Sequence, residues 1–104
     1  MNQDRYDKQP ILLLLELYVL HCINKLSRAE LELLDEMTPQ LQTAYQHEGS
    51  WKEIIAHISG YGDELPKLAR KAWRDKRIEA RKEKINLVAE DFAVAFVDEY
   101  FIIE

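Results

Sequence analysis

Glycine and proline are scarce in this chain, with three of each in 104 residues. An all-β fold needs many tight turns and the residues that make them, so this shortage excludes one and leaves long elements. Cysteine occurs once, at Cys22, which excludes an internal disulfide and favours a reducing compartment. No apolar run approaches the roughly 20 residues that a membrane span needs. The longest, Ile11 to Ile23, is interrupted by Glu16 and His21. It follows a start with as many acids (Asp4, Asp7) as bases (Arg5, Lys8), unlike a secretory signal. A cytoplasmic protein with no membrane segment is the expectation.

What is present is a chain of one-domain size in which apolar residues make up 47% and charged residues 32%, the balance of a folded protein rather than a disordered one. The periodicity predicts an all-α fold, a compact bundle of five to six short helices in a single domain spanning 1–104, with 1–8 as a loose N-terminal tail. The first helix starts at Pro10, whose fixed φ suits the first helical position, and runs to about Leu26. Ser27 and Glu30 have the spacing of a capping box, as do Ser50 and Glu53. Between them, Thr38-Pro39 repeats a start signal, so this stretch is either two helices or one kinked helix ending at Gly49. Trp51, Ile54, Ile55 and Ile58 stand at i, i+3, i+4 and i+7, one buried face of a short helix. Asp63 is the expected cap of a long helix reaching about Lys84, with an apolar face of Leu65, Leu68, Ala69, Ala72 and Trp73 that nearly vanishes afterwards. A last helix covers roughly Val88 to Phe101.

The first and last helices are apolar on most of their circumference, more surface than a small bundle readily hides. Leaving such side chains in water costs roughly 1.5–3 kcal/mol each. A homodimer is therefore expected, with Leu12, Leu15, Val19, Phe92, Phe96 and Tyr100 as candidate interface residues.

Charge is unevenly placed. Residues 67–84 hold nine bases and three acids, whereas residues 1–66 hold five bases and eleven acids, and residues 85–104 hold five acids and no base. Lys67, Arg70, Arg74, Arg77, Arg81 and Lys84 are spaced 3, 4, 3, 4, 3 and line one helical face as a candidate partner-binding stripe. Asp75, Glu79 and Glu83 form an acidic line beside it. The stripe is a solvated surface, a dock for an acidic protein partner, or a set of phosphate contacts for nucleic acid, the last opposed by the acids in the same helix and the lack of interleaved aromatics.

Chemistry-bearing patterns are few. Glu53 and His57 are four apart, yet no spacing matches a zinc framework. Ser59-Gly60-Tyr61-Gly62 lacks the lysine of a phosphate loop, and Asp63 and Glu64 would repel an anion. Ser27 and Ser50 are committed to capping, and Cys22 lies in an apolar stretch. No catalytic residue, metal or cofactor is expected. The reading that follows is a non-catalytic protein-binding or regulatory module acting through homo-oligomerisation and a charged helix. A nucleic-acid-associated regulator is the alternative, and a small enzyme with an interhelical pocket the third.

Overall fold

The computed structural model describes residues 10–101, which form an all-α bundle: α1 Pro10–Cys22, α2 Arg28–Tyr45, α3 Trp51–Ser59, α4 Glu64–Glu83 and α5 Ala89–Phe101. The tail expected at 1–8 lies outside the described residues. Among them no helix is long and apolar enough to cross a membrane.

Each boundary has a local cause. The first helix stops four residues short of Leu26 because Asn24 turns left-handed (φ 60°) and Lys25 N–H donates back to Leu20 O at 2.8 Å. Both capping boxes form. Glu30 N–H donates to Ser27 Oγ at 3.1 Å and Ser27 N–H to Glu30 Oε1 at 3.2 Å, and Ser50 and Glu53 repeat the pair at 3.3 and 3.2 Å. The stretch around Thr38-Pro39 is one helix, with Pro39 inside it. Proline there removes a backbone donor, but Leu34 and Leu41 on its two sides are both buried on the same face, and that burial holds the helix together.

Gly49 is not the end of α2. The helix closes at Tyr45, where Gln46 adopts φ 53°, and His47 N–H donates to Gln42 O. Gly49 instead sits where a Cβ would fall 2.9 Å from both Glu53 Cβ and His47 Cε1, so close approach rather than a turn requires glycine. Asp63 holds the N-cap position of α4 but does not cap it through its side chain. It is already helical (φ −71°, ψ −11°) with no side-chain capping bond, because the turn at Gly62 (φ 55°) leads straight into α4 and Leu65 N–H donates to Gly62 O.

The core is built on α1, which packs most extensively against α5 and also against α3 and α4, while α2 leans on α3. Val19, Ile54, Ile55, Leu65, Ala69 and Val97 have no measurable exposure. Trp51 joins three helices: its indole N–H donates to Asp35 Oδ1 of α2 at 2.9 Å, and its ring meets Tyr18 and His21 of α1 edge-on.

Candidate functional site

All six residues of the basic stripe are exposed. The face of α4 that carries Leu65, Ala69 and Ala72 continues at the same 3–4 spacing as Lys76, Glu79 and Glu83, all exposed, so past Trp73 the helix leaves the main core, with Ala80 the one buried residue of its outer half. Trp73 itself turns to Phe92 of α5, with ring centroids 5.1 Å apart. Among the described residues the ion pair on this helix is Lys71–Asp75 at 3.3 Å, which leaves Arg74, Arg77 and Arg81 without an acidic neighbour in salt-bridge range. Ile78, half exposed, stands on the outer face between Arg74 and Arg81. Since neither Arg74 nor Arg77 touches the core, the double change Arg74→Glu with Arg77→Glu is expected to move the melting temperature by only about a few degrees. Loss of the cooperative thermal transition would mean that the stripe is structural.

The proposed dimer residues are placed differently. Leu15, Val19, Phe92 and Phe96 are buried within the protomer, at 6% exposure or less. The reason is that α1 and α5, each too apolar to stand alone, cover one another. These four have no area to offer a second chain. Leu12 and Tyr100 are half-buried against the same core, with Tyr100 stacked on Phe96 at 4.3 Å.

The open apolar surface lies instead between α1 and α2. Leu13 and Leu17 on one side and Leu33, Met37 and Ala44 on the other line a trough of about 380 Å³, with Leu14, Leu34 and Leu41 at its floor and Gln40 and Tyr45 the lining residues that carry polar groups. Leu33 is 53% exposed. At one edge the trough adjoins a shallow surface of Glu36, Pro39 and Thr43. At the other, Leu13 and Leu17 pass into a depression lined by Glu16, Leu20, Ala93 and Glu90. The result is an apolar strip bordered by the exposed carboxylates of Glu36 and Glu90, Glu16 being buried. Its signal in the sequence is Leu33, about 100° around α2 from the buried Leu34 and so off the core face.

A second depression, of about 230 Å³, is polar. Tyr18, His21, Cys22 and Asn24 at the end of α1, Lys52 at the start of α3, and Pro66 and Arg70 in the first turns of α4 line it. Burial pushes the Tyr18 hydroxyl up to about 12, with Cys22 and Asp63 adding to the effect. Burial likewise pushes the Cys22 thiol up to about 11, against the opposing pull of Arg70, so the thiol stays protonated near neutral pH and is a poor nucleophile. Burial first and Lys52 second hold His21 below the usual histidine range. The sequence pairs His21 with Cys22 alone; Lys52, Pro66 and Arg70, which help to complete the pocket, come from two other helices, 30 to 48 positions beyond Cys22.

The other candidate clusters are occupied by local structure. His47 and His57 lie 5.2 Å apart, but His47 Nδ1 accepts from Gly49 N–H and Glu53 is engaged in its capping box. Among the described residues no three His, Cys, Asp or Glu side chains converge to hold a metal ion. The Ser59–Gly62 turn is tied down by Ser59 Oγ, which donates to Ala56 O and accepts from Tyr61 N–H. The chain matches no protein-family model, no curated protein and no solved structure at a significant level.

Proposed function

We propose that this chain is a non-catalytic protein-binding module that assembles head to tail with copies of itself, the outer half of α4 in one copy seating in the α1–α2 trough of the next. The observation that carries this reading is the trough: an exposed leucine-lined strip with carboxylates at its borders suits a helix that presents an apolar side chain among bases. The outer half of α4 has that chemistry, with Ile78 between Arg74 and Arg81 and Lys82 one turn on. A chain cannot satisfy itself this way. Leu13 and Cys22 are nine residues apart, about two and a half turns, so they lie on opposite sides of α1, and Cys22 is on the side facing Arg70 of α4.

Contact between two different surfaces of the same chain is heterologous, so a homodimer is its smallest form and rings or longer arrays follow. A contact of this extent falls in the weak class of interfaces, below about 1,200 Å². The assembly should therefore depend on concentration in the micromolar range and weaken with salt, which screens the exposed charges.

The test is sedimentation analysis of two surface variants. Ile78→Glu with Arg81→Glu removes the helix side, and Leu33→Lys with Ala44→Lys removes the trough side; all four positions are exposed, so folding is retained. Each variant alone is expected to be monomeric where the native chain associates, and an equimolar mixture should form a heterodimer through its one intact contact. A native chain that stays monomeric at every concentration overturns the proposal. So does a mixture that fails to recombine.

Nucleic acid is the second reading, favoured by the exposure of the stripe. It is opposed by Trp73, which is turned to Phe92 and cannot stack on a base, and by the acidic line of Asp75, Glu79 and Glu83. Saturable binding to DNA or RNA, steeply weakened by salt and lost in the helix-side variant, would favour it instead.

A further inference from the structure

We propose that the polar pocket at the end of α1 is a binding site for a phosphate group, free or carried as a small monoester. Its lining comprises a guanidinium (Arg70), an ammonium (Lys52), an imidazole (His21), an amide (Asn24) and a phenol (Tyr18), with no carboxylate. Two cations facing one cavity repel, and neither has an acidic partner in salt-bridge range among the described residues. Lys52 Nζ rests 5.6 Å from the centroid of the Trp51 ring, a neutral face in place of an anion. The acids on the neighbouring segments are otherwise placed, Glu53 in the capping box with Ser50. Asp35 accepts from the Trp51 indole, and Asp63, which acts electrostatically on Tyr18, stands in the turn before α4; neither lines the cavity.

Lys52 is the second residue of α3, whose N-terminal amides are already engaged by the Ser50–Glu53 capping box, so what α3 brings to the pocket is the Lys52 side chain. The carbonyl end of α1 works the other way, though Lys25 N–H and Asn24 N–H cover Leu20 O and His21 O. Two full positive charges outweigh the partial charge that remains. They favour a dianion over a carboxylate, and a guanidinium fork suits a tetrahedral oxyanion better than a halide. A volume of about 230 Å³ holds several times the ≈30 Å³ share of one water, enough for a phosphate and a short ester group. The site lies across α1 from the trough, so it stands or falls independently of self-association.

The test is an NMR titration of the full chain at constant ionic strength, following the His21 imidazole and the Trp51 indole N–H. Sodium phosphate, glycerol phosphate and sodium acetate are the probes. Saturable shifts are expected with both phosphates and not with acetate. Bound dianion should raise the His21 pKa by about one unit or more, reversing the effect of Lys52. Arg70→Gln and Lys52→Gln should each weaken binding about tenfold, and Arg70→Lys less, because it keeps the charge and loses the fork. Tighter binding of glycerol phosphate than of inorganic phosphate identifies the monoester as the ligand type, and equal or weaker binding identifies the free ion. Shifts that grow linearly without saturating, that are matched by acetate, or that survive Arg70→Gln at full strength overturn the proposal.

Discussion

Trp51→Ala is expected to lower the stability of the fold by about 3–5 kcal/mol, the range for deleting a large buried aromatic side chain. The indole is 2% exposed and is the point at which α1, α2 and α3 meet. Its removal takes away edge contacts with Tyr18 and His21 and the bond to Asp35, and it leaves a void where the three helices pack. For a domain of this size each kcal/mol is worth roughly 4–8 °C, so melting should fall by roughly 12 °C at the least. Trp51→Phe keeps most of the ring and loses the hydrogen bond alone. Because Asp35 is exposed and can bond to water instead, that variant should cost about 1 kcal/mol beyond its small volume change. Circular dichroism melts of the two variants provide the check, and a Trp51→Ala protein melting within a few degrees of the native chain would contradict the packing described.

The second large effect has the opposite sign. Besides Asn24, two residues that end helices in the left-handed region are not glycine, Gln46 (φ 53°) after α2 and Lys84 (φ 56°) after α4, and each bears the clash that an L side chain makes there, about 1–2 kcal/mol. Replacing both by glycine removes the clash but frees the unfolded chain as well, for a net gain of about 1 kcal/mol at each site. The sites belong to different helices and share no partner, so the gains should add. The double variant Gln46→Gly with Lys84→Gly is then expected to melt roughly 8–16 °C higher. Asn24 (φ 60°), which ends α1, tolerates this conformation better than most residues, and Asn24→Gly should change little. A double variant no more stable than the native chain would show that side-chain contacts of Gln46 and Lys84 offset the backbone gain.

The same scarcity of glycine shows which parts of the molecule can be read from the chain. Capping boxes are local, so Ser27 with Glu30 and Ser50 with Glu53 were legible from four residues each. The exits were not. Sequence rules look for glycine at a helix end, and three of the ends here use asparagine, glutamine and lysine. Gly49 and Asp63 misled for a related reason: each is a residue type that often does one job, and here a neighbouring geometry assigned it another. Thr38-Pro39 carried a start signal, but the burial of Leu34 and Leu41 on one face outweighed it.

The candidate surfaces divide in the same way. The basic stripe follows from helical spacing alone, and its exposure accords with the loss of apolar residues past Trp73. Periodicity identifies which side chains are apolar but not which neighbour covers them. For this reason Leu15, Val19, Phe92 and Phe96 read as surface in need of a partner when α1 and α5 supply one another. The trough depends on the distance between α1 and α2, and the polar pocket on the convergence of three helices, neither of which a pattern within one helix encodes.

The departure of α4 from the core after Trp73 has a consequence for how this molecule breathes. The segment from Arg74 to Glu83 is helical chiefly because arginine, lysine, glutamate and alanine favour that state, with Ala80 its one buried side chain. Its amides belong to a unit that can open while the remainder stays folded, exchanging hydrogen and admitting a protease well before global unfolding. A partner that clamps this segment slows both processes there and leaves the rest of the molecule unaltered.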